Sequence, residues 1–200
     1  MKALFNYASR KIGNRSWLEF GGREAGISSR WLTFPETEVA RMGIKGLTGC
    51  TGIILLSNEG AWIGHMWEEP TFKVAEGLTP MDMFQASTFH AFNNNIFGAE
   101  TEPLAPHIGT DQEPGPLHHS KRPRIIAVSP YTDKPGSPLR YHDQVKWLTQ
   151  QFSRLLYPQG TQKDTSTGYM GTKWRNKDGR TVKKGYMARL CWRSPQYSTY

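Results

Sequence analysis

The feature that most constrains the fold is a pair of apolar runs joined by a short turn sequence. Thr51–Leu56 and Ala61–Trp67 are rich in β-branched and aromatic residues, and Asn58-Glu59-Gly60 lies between them. Asn and Gly adopt the backbone conformations that tight hairpin turns need. The pattern therefore predicts an antiparallel β-hairpin made of two apolar strands.

Other segments predict further strands and a second turn. Trp31–Phe34, Arg124–Ser129 and Tyr186–Trp192 are short apolar or β-rich runs bounded by turn residues, a composition typical of strands. Asn176-Lys177-Asp178-Gly179 has the composition of a hairpin turn. Predicted strands are thus spread over most of the chain.

Two helices are predicted between these strands. Thr79-Pro80 is a start signal, with Thr as N-cap and Pro in the first turn, for a helix over 80–97. Ser137-Pro138 repeats that signal, and apolar residues recur at helical spacing until Pro158 ends the second helix. Strands before, between and after only two helices are typical of an α+β fold with an antiparallel or mixed sheet.

Length and composition fit one folded domain. The chain has 200 residues, of which 37% are hydrophobic and 12% aromatic, so collagen-like, coiled-coil and disordered classes are excluded. We predict a single domain over residues 1–200. Within it, the Pro-rich and acidic stretch 98–123 predicts a long loop that could wall a substrate cleft.

The net charge of +8 is concentrated near the C-terminus. The segment from Lys163 to Arg193 has nine basic and two acidic residues, interleaved with aromatic ones, inside a basic C-terminal β region that we predict over 159–200. Such a segment can bind a phosphate backbone, so a nucleic-acid-binding module is one candidate function. The alternative is a solvated hairpin surface without a ligand.

Other features exclude several classes of protein and site. Only two cysteines occur, which excludes a disulfide scaffold and a four-cysteine zinc site. His118 and His119 lie in the Pro-rich loop without matched partners, so we expect no metal site and no cofactor. No stretch approaches the roughly 20 apolar residues of a membrane-spanning helix. The segment 1–17 lacks the apolar core of a signal peptide, but a mature secreted form would look the same.

The candidate nucleophile is Cys50, which lies between Gly49 and the first strand of the hairpin. Glycines let a backbone approach a ligand closely. A structural cysteine would more naturally fall inside an apolar run, as Cys191 does. A role for Cys50 as a small buried core residue is the alternative.

The candidate base is His65, on the second strand of the same hairpin. If the turn holds two or four residues, position 50 faces position 67, and Cys50 and His65 are diagonal neighbours on one face. A three-residue loop with a bulge would put them out of phase. An adjacent imidazole can take the thiol proton and later protonate a leaving amine. A third group that orients His65 cannot be placed from the sequence.

The segment Leu47-Thr48-Gly49-Cys50-Thr51, followed by His65, resembles the catalytic core of the cytotoxic necrotizing factor family. The family pattern is Leu-x-Gly-Cys with a downstream His, and its members are bacterial toxins that deamidate glutamine side chains. Lethal-factor and chemoreceptor deamidases are related to them. The resemblance implies that Cys50 is the nucleophile and His65 the base. It also implies a mixed β-sandwich core flanked by helices and long loops.

The resemblance further implies a target and a place of action. The substrate would be a protein, by resemblance a GTPase or a translation factor. The chain would be a toxin or effector, secreted or delivered, that acts in the cytosol of a target cell; otherwise we expect a cytoplasmic protein. A small amidase or peptidase with the same Cys–His pair is the rival enzyme.

Five further residues are candidates for the oxyanion hole or the substrate cleft. Backbone N–H groups near Gly49 and Cys50 can stabilise a developing oxyanion. Trp62 and Trp67 can form the floor of a cleft, with core packing as the alternative. The full set is Thr48, Gly49, Thr51, Trp62 and Trp67.

Overall fold

The computed structural model of the protein describes the predicted hairpin and much of the chain around it. The described residues are 17–18, 27–35, 40–47, 49–72, 79–85, 101–133, 137–158, 160, 165–169, 172–175, 181–184 and 186–192. The described strands are β1 (Trp17–Leu18), β2 (Ile27–Thr33), β3 (Ala40–Leu47), β4 (Thr51–Leu56), β5 (Gly60–Met66), β6 (Arg124–Pro130), β7 (Thr165–Tyr169), β8 (Thr172–Arg175), β9 (Thr181–Lys184) and β10 (Tyr186–Trp192).

The described strands form a large mixed sheet and two smaller sheets. The large sheet has the order β2-β5-β4-β6-β7. The pairs β2–β5, β5–β4 and β4–β6 are antiparallel, and β7 is parallel to β6. The smaller sheets have the orders β1-β3-β10 and β8-β9. With the helices described below, this confirms the predicted α+β class.

The predicted hairpin is formed by β4 and β5 at the centre of the large sheet. Leu56 pairs with Ala61, and the register is unbroken along the ladder. The turn is closed by a hydrogen bond of 2.9 Å that Ser57 N donates to Gly60 O. Gly60 also has a packing role, because a Cβ there would overlap the ring of Trp31 on β2.

The first predicted helix begins where the sequence indicates. Helix α1 (Pro80–Phe84) follows Thr79, whose hydroxyl oxygen accepts a hydrogen bond of 3.4 Å from Asp82 N. This is the N-cap contact that the Thr-Pro signal predicts. The remainder of the predicted helix, after Gln85, lies outside the described residues.

The second predicted helix ends before Pro158 as expected, but its predicted start is wrong. Helix α3 (His142–Leu156) begins four residues after Pro138. The segment before it turns back onto the end of β6, because Arg140 N donates to Pro130 O at 2.8 Å and Thr132 N donates to Pro138 O at 3.0 Å. The Pro138 carbonyl, which would accept from His142 N in a helix starting at Pro138, accepts from Thr132 N instead. Within the described residues, no helix is both long enough and apolar enough to cross a membrane.

Buried side chains separate into two clusters, one on each face of the β4–β5 ladder. The first cluster contains residues of β4 and β5 that face α3, and includes Ile53, Leu55, Trp62, Met66, Val145, Leu148, Phe152 and Leu156. The second cluster contains the alternate residues of β4 and β5 together with residues of β1 and β3, and includes Leu18, Ile44, Leu47, Cys50, Ile54, Ala61, Ile63 and Trp67. Both faces of the hairpin are therefore covered.

The described part of the predicted 98–123 loop packs on the α3 side of the sheet. Residues 101–123 contain α2 (Ala105–Ile108), a 3₁₀ turn (His119–Lys121) and isolated bridges. Leu104 and Leu117 belong to the first cluster, and Trp62 Nε1 donates to Glu102 O at 3.0 Å. The loop thus closes the core on the face opposite to Cys50, and this part does not wall a cleft at that residue.

The described residues between 165 and 192 form strands β7 to β10. Strand β10 coincides with the predicted run and pairs with β3, while β8 and β9 pair with each other across the predicted turn. The turn Asn176-Lys177-Asp178-Gly179 itself lies outside the described residues, and so do the side chains of the basic segment.

The contact of α3 with the sheet gives a prediction for stability. Leu148 is completely buried in the first cluster, whereas Gln150 of the same helix is exposed. We expect Leu148→Ala to lower the free energy of unfolding by about 2–5 kcal/mol, because it removes buried apolar surface and leaves a cavity. Gln150→Ala should change it by less than about 0.5 kcal/mol. Urea unfolding followed by circular dichroism measures both, and equal effects would contradict the packing.

Candidate active site at Cys50 and His65

Cys50 and His65 lie on the same face of the large sheet, at the end of the β4–β5 ladder. Gly52 pairs with His65 and Thr51 with Met66, so the same register sets Cys50 opposite Trp67. Opposing residues of an antiparallel pair share a face, and so do alternate residues of one strand. Cys50 is therefore the diagonal neighbour of His65, and in the described chain no hydrogen bond joins its sulfur to either nitrogen of the imidazole. This is the register predicted for a four-residue turn.

Ile44 of β3 packs against Gly52 on the face of the sheet that carries Cys50 and His65. Gly52 stands directly across the ladder from His65. A Cβ on Gly52 would lie 2.7 Å from Ile44 Cδ1, so the side chain of Ile44 takes up the space that the glycine leaves beside His65.

His65 is completely buried, with 0% of its surface exposed. Neither Nδ1 nor Nε2 has a hydrogen-bond partner in the described part of the chain. Burial lowers the pKa of His65 to about 4, so the imidazole is neutral near pH 7 and one ring nitrogen has a lone pair. That is the form in which a histidine acts as a general base. An unsatisfied buried polar group costs about 1–3 kcal/mol and calls for a functional explanation.

Cys50 is a buried thiol in apolar surroundings, with 6% of its surface exposed. It belongs to the second cluster, as does Trp67, whose ring centroid lies 6.5 Å from that of His65. The apolar contacts of Cys50 and the burial that lowers the pKa of His65 thus occur on the same face of the sheet.

Gly49, the residue before Cys50, lies directly beneath the carboxylate of Glu68. Its φ is +127°, a conformation that favours glycine. The carboxylate of Glu68 lies over its Cα, so that a Cβ on Gly49 would overlap the carboxylate and lie 2.8 Å from Glu68 Cδ. A glycine before the cysteine is thus required both by the backbone and by the side chain above it.

Two residues that are distant in sequence hold the Glu68 carboxylate in place. Glu68 Oε1 accepts a hydrogen bond of 2.6 Å from the Tyr141 hydroxyl and one of 2.8 Å from Arg140 Nη1. Burial, and then the neighbouring Glu68 carboxylate, raise the pKa of Tyr141, so the phenol stays protonated and donates. Sequence reasoning missed Arg140 and Tyr141, because they precede α3 and no local pattern connects them with the hairpin.

The other candidate residues lie on different faces of the large sheet. Trp67 lies beside His65. Thr51 lies on the opposite face, where its hydroxyl is 2.9 Å from that of Ser129. Trp62 also lies on that face, packed 6.1 Å from Phe152 between ring centroids. Trp62 therefore packs in the core, which is the alternative given for it above. Only the backbone of Thr51 can contribute to the face that carries Cys50. Thr48 lies outside the described residues.

Comparison of the chain with known protein families, with curated proteins and with solved structures finds no match. No role for Cys50 or His65 is therefore carried over from a known relative.

The close contact over Gly49 gives a prediction for stability. We expect Gly49→Ala to lower the free energy of unfolding by about 1–3 kcal/mol, because alanine is strained at this φ and its methyl group displaces Glu68. Gly160→Ala is the matched control, since Gly160 has open space around its Cα. Urea unfolding of both variants tests this, and an unchanged Gly49→Ala protein would contradict the described backbone.

The buried imidazole gives a prediction for pH dependence. The unfolded chain binds a proton at His65 below about pH 6.5, whereas the folded protein binds it only below about pH 4. The folded state thus loses stability as the pH falls through that range. We expect wild type to lose about 2–3 kcal/mol more than His65→Gln between pH 7 and pH 4.5. Urea unfolding across this range measures the difference, and parallel pH profiles would show that His65 is not buried in its neutral form.

Proposed function

We propose that this chain is a cysteine-dependent deamidase that converts a glutamine side chain of a target protein to glutamate. The observation that carries the proposal is the diagonal placement of Cys50 and His65 on one sheet face. The burial that keeps the imidazole of His65 neutral supports it further. The family resemblance of the Leu-x-Gly-Cys segment indicates which carbonyl the thiol attacks.

The reaction begins when His65 takes the Cys50 proton and the sulfur attacks the carboxamide carbon. The resulting oxyanion is stabilised by backbone N–H groups near Gly49 and Cys50, each worth about 2.7–4 kcal/mol in enzymes where such donors were removed. The imidazolium then protonates the amine, ammonia leaves and a thioester remains. Water, deprotonated by His65, attacks the thioester to form glutamate, and the proton returns to Cys50.

The low pKa of His65 restricts when this proton transfer can occur. An imidazolium in apolar surroundings is unfavourable unless an anion lies beside it. The oxyanion formed by attack provides that anion, so proton transfer and attack support each other only when a substrate is bound. The buried pair is thus protected from reaction with solvent while the site is empty.

We propose that the β1-β3-β10 sheet covers the Cys50 face of the large sheet as the second layer of a mixed β-sandwich. The support is the second cluster, in which Ile44 and Leu47 of β3 occur together with Ile54 and Ile63 of the hairpin. By resemblance, the target is a GTPase or a translation factor inside a recipient cell, where the Cys50 thiol stays reduced.

The test compares proteins added to a cell extract and maps Gln-to-Glu conversions by mass spectrometry. We expect wild type to convert a small set of glutamines and to release ammonia, and Cys50→Ser to convert none. His65→Ala should slow conversion by about 10²–10⁴-fold, because it removes the proton acceptor.

Cys191→Ser is the matched control for loss of a cysteine, and it should leave the conversion profile unchanged. Identical profiles for wild type and Cys50→Ser would refute the deamidase proposal. Cleaved peptide bonds that depend on Cys50 would instead identify the rival Cys–His peptidase.

A further inference from the structure

The 101–123 loop brings together three side chains that commonly bind metal ions. Asp111, His118 and His119 each present one ligand atom, and these atoms all lie within 4.8 Å of one another. The sequence-based expectation of no metal site depended on the absence of a partner for the two histidines. Asp111 is that partner, and it is brought to them by the path of the loop.

Backbone hydrogen bonds fix this path on both sides of the cluster. Gly115 N donates to Ile108 O at 2.9 Å and Leu117 N to His107 O at 2.7 Å, so the chain returns alongside α2. Between them, Thr110 N donates to Glu113 O at 3.0 Å and closes the turn. The positions of Asp111 and His118 are therefore set by the backbone and do not depend on a bound ion.

Hydrogen bonds on both sides hold the ring of His118. It is 7% exposed; Nδ1 accepts from Ser120 N at 3.4 Å and lies 2.9 Å from Ser120 Oγ, and Nε2 lies 3.1 Å from Asp111 Oδ1. A ligating histidine usually forms a hydrogen bond through its other ring nitrogen, which fixes the ring. Ser120 supplies that contact, and Nε2 is left to face the carboxylate.

We propose that Asp111, His118 and His119 bind one divalent transition-metal ion, with Zn²⁺ as the best-matched candidate. Two imidazoles and one carboxylate form a donor set that suits zinc and its neighbours. Calcium and magnesium prefer oxygen ligands alone.

The distances fit this ion after a small adjustment. Zinc bonds of about 2.0–2.2 Å in tetrahedral geometry set ligand atoms about 3.4 Å apart. The His118–Asp111 separation of 3.1 Å is close to that value. Asp111 and His119 are both exposed, so their side chains can rotate to close the wider separations while His118 stays in place. Water fills the remaining position.

Neighbouring charge does not block the cluster. Lys121 follows the histidines, but its ammonium group forms an ion pair of 2.7 Å with Glu59 in the β4–β5 turn. The loop packs on the α3 side of the sheet, opposite to Cys50. The metal site is thus independent of the proposed deamidase site, and its most direct effect is to tie Asp111 to the 118–119 segment.

The test is titration of Zn²⁺ into the metal-free full-length chain by calorimetry, with metal content measured after dialysis. We expect one bound ion per chain. His119→Gln and Asp111→Asn, which alter exposed ligands and spare the buried His118, should each weaken binding by about tenfold or more. His142→Gln is the control, since His142 is an exposed histidine at the start of α3. It should bind Zn²⁺ as wild type does.

Cys50→Ser separates this site from the thiol. Binding that persists in Cys50→Ser but weakens in His119→Gln and Asp111→Asn supports the proposal. Loss of binding in Cys50→Ser, equal binding in all variants, or no binding at all would overturn it. Co²⁺ added in place of Zn²⁺ gives a second readout, because its visible absorption spectrum changes when imidazoles bind it. His119→Gln and Asp111→Asn should abolish that change.

Discussion

The register of the β4–β5 ladder determines which side chains meet on each face of the central sheet. Because side chains alternate along a strand, a shift by one residue would exchange the two faces completely. In the observed register, Leu55 and Trp62 face α3, while Cys50 and His65 face the other way. The core and the candidate site are therefore consequences of one pairing, and neither can change without the other.

His65 shows how the site and the stability of the fold oppose each other. A buried imidazole without hydrogen-bond partners in the described chain is unfavourable for folding. The same burial keeps the imidazole neutral near pH 7, which is the form that the proposed base would need. The apolar surroundings provided by Ile63 and Trp67 thus raise the cost of the residue while they set its protonation state.

Local sequence signals predicted the elements whose cause is local. The hairpin, the Thr79 cap and the end of α3 before Pro158 all depend on neighbouring residues. Strand β3 was missed, because Ala40–Leu47 contains charged residues and two glycines and has no apolar run. The start of α3 was placed too early, because the backbone groups near Pro138 bond to the end of β6 instead.

The sequence by itself determined the hairpin, the α+β class and the candidate pair Cys50 and His65. The hairpin and the class follow from strand period and turn length, which act over a few residues. The pair follows from residue chemistry together with the resemblance of the Leu-x-Gly-Cys segment. Only the tertiary structure decided that Tyr141 holds Glu68 beside Gly49 and that Asp111 meets His118. Such contacts depend on how distant segments pack and on which backbone groups they bond. No local pattern encodes that information, because the same residues would fit many other partners.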